Sequence, residues 1–195
     1  MDLLPAHEIA MAEFNRAVAA IGDDQWAAAT PCSDWTVHDL LNHLVSEQLW
    51  VPALLGGATI AEVGDRFDGD QLGVDPRRAW AESAVAARVA WVQPGAIERT
   101  VHLSFGDTTA AEYGWQMTLD LAVHGWDLST AVNSRDHRGD PGVVIDPDLA
   151  ETLLERFEDQ VEQWRGSGIF GPPVPVPDHS DAPTRLLALL GRNPR

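Results

Sequence analysis

Apolar residues recur at three- and four-residue spacing through most of this chain, and that period restricts the fold to packed helices. Met11, Phe14, Val18 and Ile21 mark a first helix from about Pro5 to Ile21. A second runs from Thr36 to about Gly56, with Leu40, Leu44 and Val51 as its stripe and Leu41, Val45 and Leu49 beside it. Thr36 followed three residues later by Asp39 fits an N-terminal capping pattern. Asp75-Pro76 supplies a cap and a first-turn proline for a third helix, which carries Trp80, Ala84, Ala87 and Trp91 and stops at Gln93-Pro94-Gly95. Thr109 and Glu112 form a capping box for a fourth, reaching about Val132. A fifth, from about Pro147 to Trp164, has Leu149, Leu153, Phe157, Val161 and Trp164 on one face.

The connections are shorter on signal. Ala58 to Val74 is rich in Gly and Asp and reads as a long loop between helices 2 and 3. Thr100 to Phe105 alternates and suggests a short extended segment or hairpin arm. After the fifth helix come a Pro-rich loop, Gly171 to Pro177, and a short helix from about Pro183 to Leu190. The expected class is therefore all-α: a four-helix bundle over 1–135, with 136–195 as a short C-terminal helical extension packed on it.

Charge narrows the function classes. Thirty acidic residues face 13 basic ones, all arginine, for a formal net charge of -17. Such a surface repels phosphate backbones and anionic lipid, so no nucleic acid and no membrane partner is expected. No stretch of about 18 apolar residues or signal-like N-terminus is present, which makes a cytoplasmic protein the default. The single cysteine, Cys32, excludes an intrachain disulfide.

The chemistry concentrates in the fourth helix. Asp120 and His124 lie four residues apart and so share a helical face, together with Met117, Leu121 and Leu128. Burying such groups without partners costs about 1–3 kcal/mol for a neutral group and more for a carboxylate. A metal satisfies both, although a hydrogen-bonded Asp–His pair would satisfy them as well. His43, between Leu40 and Leu44 on the second helix, is a matching anomaly, with Glu47 one turn further on. Adjacent helices would then assemble a His43-Asp120-His124 set, whose three protein ligands leave one coordination position open.

The flanks of these residues carry a resemblance. Thr30-Pro31-Cys32-Ser33-Asp34-Trp35-Thr36-Val37, followed by Leu41-Asn42-His43-Leu44-Val45, resembles the start of the mycothiol-dependent maleylpyruvate isomerase family. Asp120 to Asp127, ending in His-Gly-Trp-Asp, resembles its second metal motif, and the tail Arg185 to Arg192 resembles that of a short actinobacterial branch. The resemblance implies a DinB-like four-helix bundle with His43, Asp120 and His124 as metal ligands. It implies Zn2+ or another divalent ion such as Ni2+, with mycothiol as thiol cosubstrate. Asp120 stands where the family's isomerases carry Glu.

The leading expectation is a metal-dependent enzyme that uses a low-molecular-weight thiol for transfer to, or isomerisation of, a small electrophilic substrate. Glu47 would be its general base. A metal-dependent hydrolase would need the same site without thiol. A non-catalytic helical protein that binds a small ligand is the third reading. Asp127 could orient a ligand, and Trp35 and Trp126 could line a pocket or pack in the core. Cys32 could be activated near a helix N-terminus. Arg66, Arg77, Arg78 and Arg88 could hold an anionic substrate. His102 could face the site, while His7, His38, His137 and His179 read as surface residues. The fifth helix's apolar face could pack on the bundle or pair two copies in a homodimer.

Overall fold

A computed structural model describes residues 1–133, 143–166 and 170–194. The expected division at residues 135 and 136, and His137, lie outside these.

Four long helices form the expected bundle. They are α1 (Leu3–Ala20), α2 (Val37–Leu55), α4 (Pro76–Trp91) and α5 (Ala110–Asn133). Helix α1 packs mainly on α5 and α2 on α4, and α2 also touches α5. The last contact brings the two polar anomalies of the sequence face to face. Phe14, Leu40, Leu41, Leu44, Leu121 and Leu128 are fully buried in one core cluster.

The second helix begins where the sequence places it. Thr36 Oγ1 accepts from Asp39 N at 3.2 Å, and Asp39 Oδ2 accepts from Thr36 N at 2.9 Å, which completes a capping box. Fixing this end fixes the rotational register of His43 two turns later. At Thr109 only half of the expected box forms. Glu112 N donates to Thr109 Oγ1 at 3.2 Å, while the Glu112 carboxylate pairs with Arg156 instead.

The long connection after α2 is not structureless. It holds a one-turn helix, α3 (Ile60–Val63), capped by Thr59 and Glu62. It is also tied back to α2: Asn42 Nδ2 donates to Gly69 O, Asn42 Oδ1 accepts from Gln71 N, and Ser46 Oγ donates to Phe67 O. The extended segment is a hairpin of β1 (Thr100–Leu103) and β2 (Gly106–Thr109), with Leu103 opposite Gly106. Its two-residue tip, Ser104-Phe105, leaves the Phe105 ring 71% exposed.

Two further helices follow, α6 (Pro147–Gly166) and α7 (Ala182–Leu189), which pack on each other. The apolar face of α6 is spent inside the chain: Leu149, Leu153, Phe157 and Val161 are all buried in the main core. The exposed apolar residues lie elsewhere, with Val85, Val89 and Val92 following helical spacing along α4 and its end. No helix among the described residues is long and apolar enough to cross a membrane.

Candidate metal centre

Helices α2 and α5 bring His43, Asp120 and His124 together, with ligand atoms all within 4.8 Å of one another. His43 Nε2 lies 3.2 Å from Asp120 Oδ2, and His124 Nε2 lies 3.4 Å from Asp120 Oδ1. Each oxygen of one carboxylate thus faces one imidazole. The cluster sits at the edge of the core rather than inside it: the Asp120 and His43 side chains are each 29% exposed, His124 10%. Leu121 and Leu128, on the same helix, are fully buried.

The opposite edge of His124 is anchored. Its Nδ1 faces Asp127 Oδ2 at 3.0 Å, one helical turn later. A donated Nδ1–H fixes the tautomer whose Nε2 lone pair points toward Asp120 and His43. Asp127 is itself fully buried and accepts from Arg192 at 2.9 Å (Nη2) and 3.3 Å (Nε). Arg192 also donates to Leu190 O, so the segment after α7 reaches into the centre. Trp35 walls the other side, its ring 5.0 Å from that of His43 and stacked 5.8 Å from that of His124. The turn that places it contains Asp34 at φ 67°, a left-handed conformation that Asp tolerates better than most residues.

Electrostatics follow from these contacts. Burial pushes the His124 imidazole down, but the Asp120 and Asp127 carboxylates outweigh it and raise its pKa to about 9. His43 is likewise lowered by burial and raised, on balance, by Asp120. Burial alone would raise Asp120, yet the two histidines hold it well below the usual carboxylate range. A carboxylate between two imidazoles, at the edge of an apolar core, attracts positive charge, which protonated imidazoles supply on their own and which a bound cation could supply in their place. A divalent cation fits that donor set.

Glu47, one turn beyond His43, has its carboxyl raised above the ordinary value by burial and then by the Asp120 charge. It lines a cavity of about 260 Å³ with Trp50, Tyr113 and Gln116. The Tyr113 hydroxyl is buried there without a hydrogen-bond partner. A larger cavity of about 600 Å³ opens on Asp120 and His124 and is walled by Phe105, Leu119, Val123, Trp164 and Phe170. Phe105 and Gln116 border both.

Several expected site residues lie elsewhere. Arg77 pairs with Asp23, Arg78 with Glu82 and Arg88 with Glu8, Arg66 lies over Phe67, and none of the four lines either cavity. His102 pairs with Asp107 across the hairpin at 2.7 Å. Trp126 packs against the core. Cys32 lies within 4.8 Å of the His124 and Asp127 ligand atoms, but burial raises its pKa, so the thiol is not activated. His179 is exposed and His38 partly so. His7 is not a surface residue: it is 1% exposed against Trp91, and burial, then Arg88, lower its pKa to about 3. Arg192, Gln116 and Gln160 were not expected at the site. Gln116 lies four residues before Asp120 on the same face of α5, a spacing that could have found it. Arg192 and Gln160 carry no such signal and meet the centre only through the tertiary fold.

The fold and the centre define a helical bundle with a histidine–carboxylate cluster beneath a ligand-sized cavity. Residues 7–129 match the family described as mycothiol maleylpyruvate isomerase N-terminal domain, and the chain belongs to that family. An uncharacterized protein of Mycobacterium tuberculosis (strain H37Rv) is 31% identical over 201 residues, spanning 100% of both chains. The counterpart from strain CDC 1551 / Oshkosh matches equally. Among solved structures, the mycothiol-dependent maleylpyruvate isomerase superposes with a TM-score of 0.65 at 14% identity, over 98% of this chain and 89% of that one. A histidine-to-alanine mutant of such an isomerase gives 0.63 at 16% identity, over 88% and 73%. These two likenesses show the shared fold.

Proposed function

We propose that this chain is a metal-dependent enzyme that employs a low-molecular-weight thiol, mycothiol by family, on a small electrophilic substrate. The carrying observation is the convergence of His43, Asp120 and His124 within 4.8 Å, open to a cavity of about 600 Å³. His43 Nε2, Asp120 and His124 Nε2 would hold one divalent ion, zinc or a similar metal such as nickel. Such an ion, when bound, supplies Lewis acidity that lowers the pKa of a thiol or a water.

The remaining steps belong to the chain's own residues. Asp127 holds His124 in the ligating tautomer, and Arg192 holds Asp127. Glu47 is the base that takes the thiol proton: it lies one turn from His43, and burial and the Asp120 charge raise its carboxyl above the ordinary value, which strengthens it as a base. Trp35 stacks against one side of the cluster, and the cavity's aromatic wall lines the approach to it. Transfer and isomerisation share this first stage and differ in whether the thiol stays on the product.

The test is turnover of an electrophile panel by natively purified protein, with and without added mycothiol. Thiol-dependent product formation, abolished in His43→Ala, is the expected result. Product formed equally without thiol would establish hydrolysis with Glu47 as base instead. Binding without turnover, unaffected by His43→Ala, would establish a non-catalytic binding protein.

A further inference from the structure

The charge balance of the larger cavity selects its substrate, on the reading above that the centre acts on a small electrophile. Five of its walls are apolar: Phe105, Leu119, Val123, Trp164 and Phe170. Gln116 and Gln160 add neutral amides. Among the described residues that line it, Arg192 is the one arginine, and its charge is committed. Nη2 and Nε donate to the buried Asp127 carboxylate and Nη1 to Leu190 O, and the side chain is only 10% exposed. The four arginines that a sequence reader would assign to an anion lie outside the cavity.

A carboxylate moved from water into such walls loses its hydration and, among the described lining residues, finds no uncommitted arginine in exchange. An ion at the triad would balance one carboxylate group of a ligand, and a dicarboxylate would still carry a second with nothing to meet it. An uncharged aromatic or similarly apolar group fits instead. The rings of Trp164 and Phe170, 6.2 Å apart, and the hairpin-tip ring of Phe105 offer faces and edges to it. A carbonyl on the ligand can accept from the Gln116 or Gln160 amide.

We propose that this cavity takes an uncharged, carbonyl-bearing electrophile of aromatic bulk, an unsaturated ketone in class, and discriminates against dicarboxylates. The specificity-determining residues are Trp164, Phe105 and Gln160.

Isothermal titration calorimetry on the natively purified protein, without thiol, tests this with three probes. They are benzylideneacetone (neutral), cinnamate (nearly the same shape with a carboxylate) and maleate (a dianion). The ketone should bind at least tenfold more tightly than maleate, with cinnamate, whose single carboxylate the ion can balance, in between. Trp164→Ala and Phe105→Ala should each weaken ketone binding, the former about tenfold. Phe105 is exposed at the hairpin tip, so its variant keeps the fold even if Trp164→Ala does not. Gln160→Arg should raise maleate affinity at least tenfold. The proposal falls if maleate binds as well as the ketone, if no probe binds, or if Phe105→Ala leaves ketone affinity unchanged. Because thiol is absent, this outcome is separable from the enzymatic reading. Tight ketone binding with no thiol-dependent product would sink only that reading, and thiol-dependent turnover of a dicarboxylate only this one.

Discussion

Replacing Asp127 by Ala tests whether the segment after α7 is a working part of the candidate metal centre. The carboxylate is fully buried and holds two partners: His124 Nδ1 at 3.0 Å and Arg192 at 2.9 and 3.3 Å. Removing it strands a guanidinium that is only 10% exposed. Breaking a buried ion pair from one side costs about 3–5 kcal/mol. For a chain of this size each kcal/mol is worth roughly 2–4 °C, so Tm should fall by roughly 6–20 °C. Arg192→Ala should cost less, because Asp127 keeps His124. The double variant should be no worse than Asp127→Ala, giving a coupling of about 2 kcal/mol or more in a cycle measured by calorimetry and denaturant titration. Asp127→Ala should also weaken metal binding about 10- to 100-fold, through loss of imidazole orientation. Additivity of the two single substitutions within about 0.5 kcal/mol would refute the argument.

Three more outcomes follow from the same contacts. Burial raises the Glu13 pKa to about 7 against an ordinary value of 4.5, so the folded state holds a proton that the unfolded state releases. Wild type should therefore lose stability, of order 2 kcal/mol, as pH rises from 4.5 through 7, and Glu13→Gln should flatten that slope in urea titrations at a series of pH values. An equal slope in both proteins would exclude Glu13 as its source. Gly125 lies within α5 and a Cβ there would meet Phe14 at an ordinary 3.7 Å, so Gly125→Ala should stabilise by about 0.5–1 kcal/mol, read as a higher Tm. Glu47→Gln should lower thiol-dependent kcat by about 10²–10⁴-fold with an unchanged circular dichroism spectrum.

The helices were legible because their apolar stripes and caps are local: Thr36 and Asp39 form the box that the sequence spells out. The candidate ligands were legible for the opposite reason, as polar residues that break a stripe. His7 breaks one too, four residues after Leu3 and seven before Phe14, and its burial could have been read the same way. What the sequence hid is whatever depends on long-range closure. Arg192 meets Asp127 across 65 residues, and no spacing rule points from one to the other. Trp164 shows the limit of the stripe itself. It belongs to the apolar face of α6, yet that face ends at the cavity, so its last ring is a wall rather than core. The capping expectation at Thr109 failed in part because Arg156 competes for the Glu112 carboxylate.

Elemental analysis of natively purified protein, beside a His43→Ala, His124→Ala double variant shown by circular dichroism to be folded, decides whether the cluster is a metal centre. About one equivalent of a divalent metal in wild type and none in the variant is the expected result. A folded wild type that carries no metal, and takes none up on titration with zinc or nickel, would contradict it.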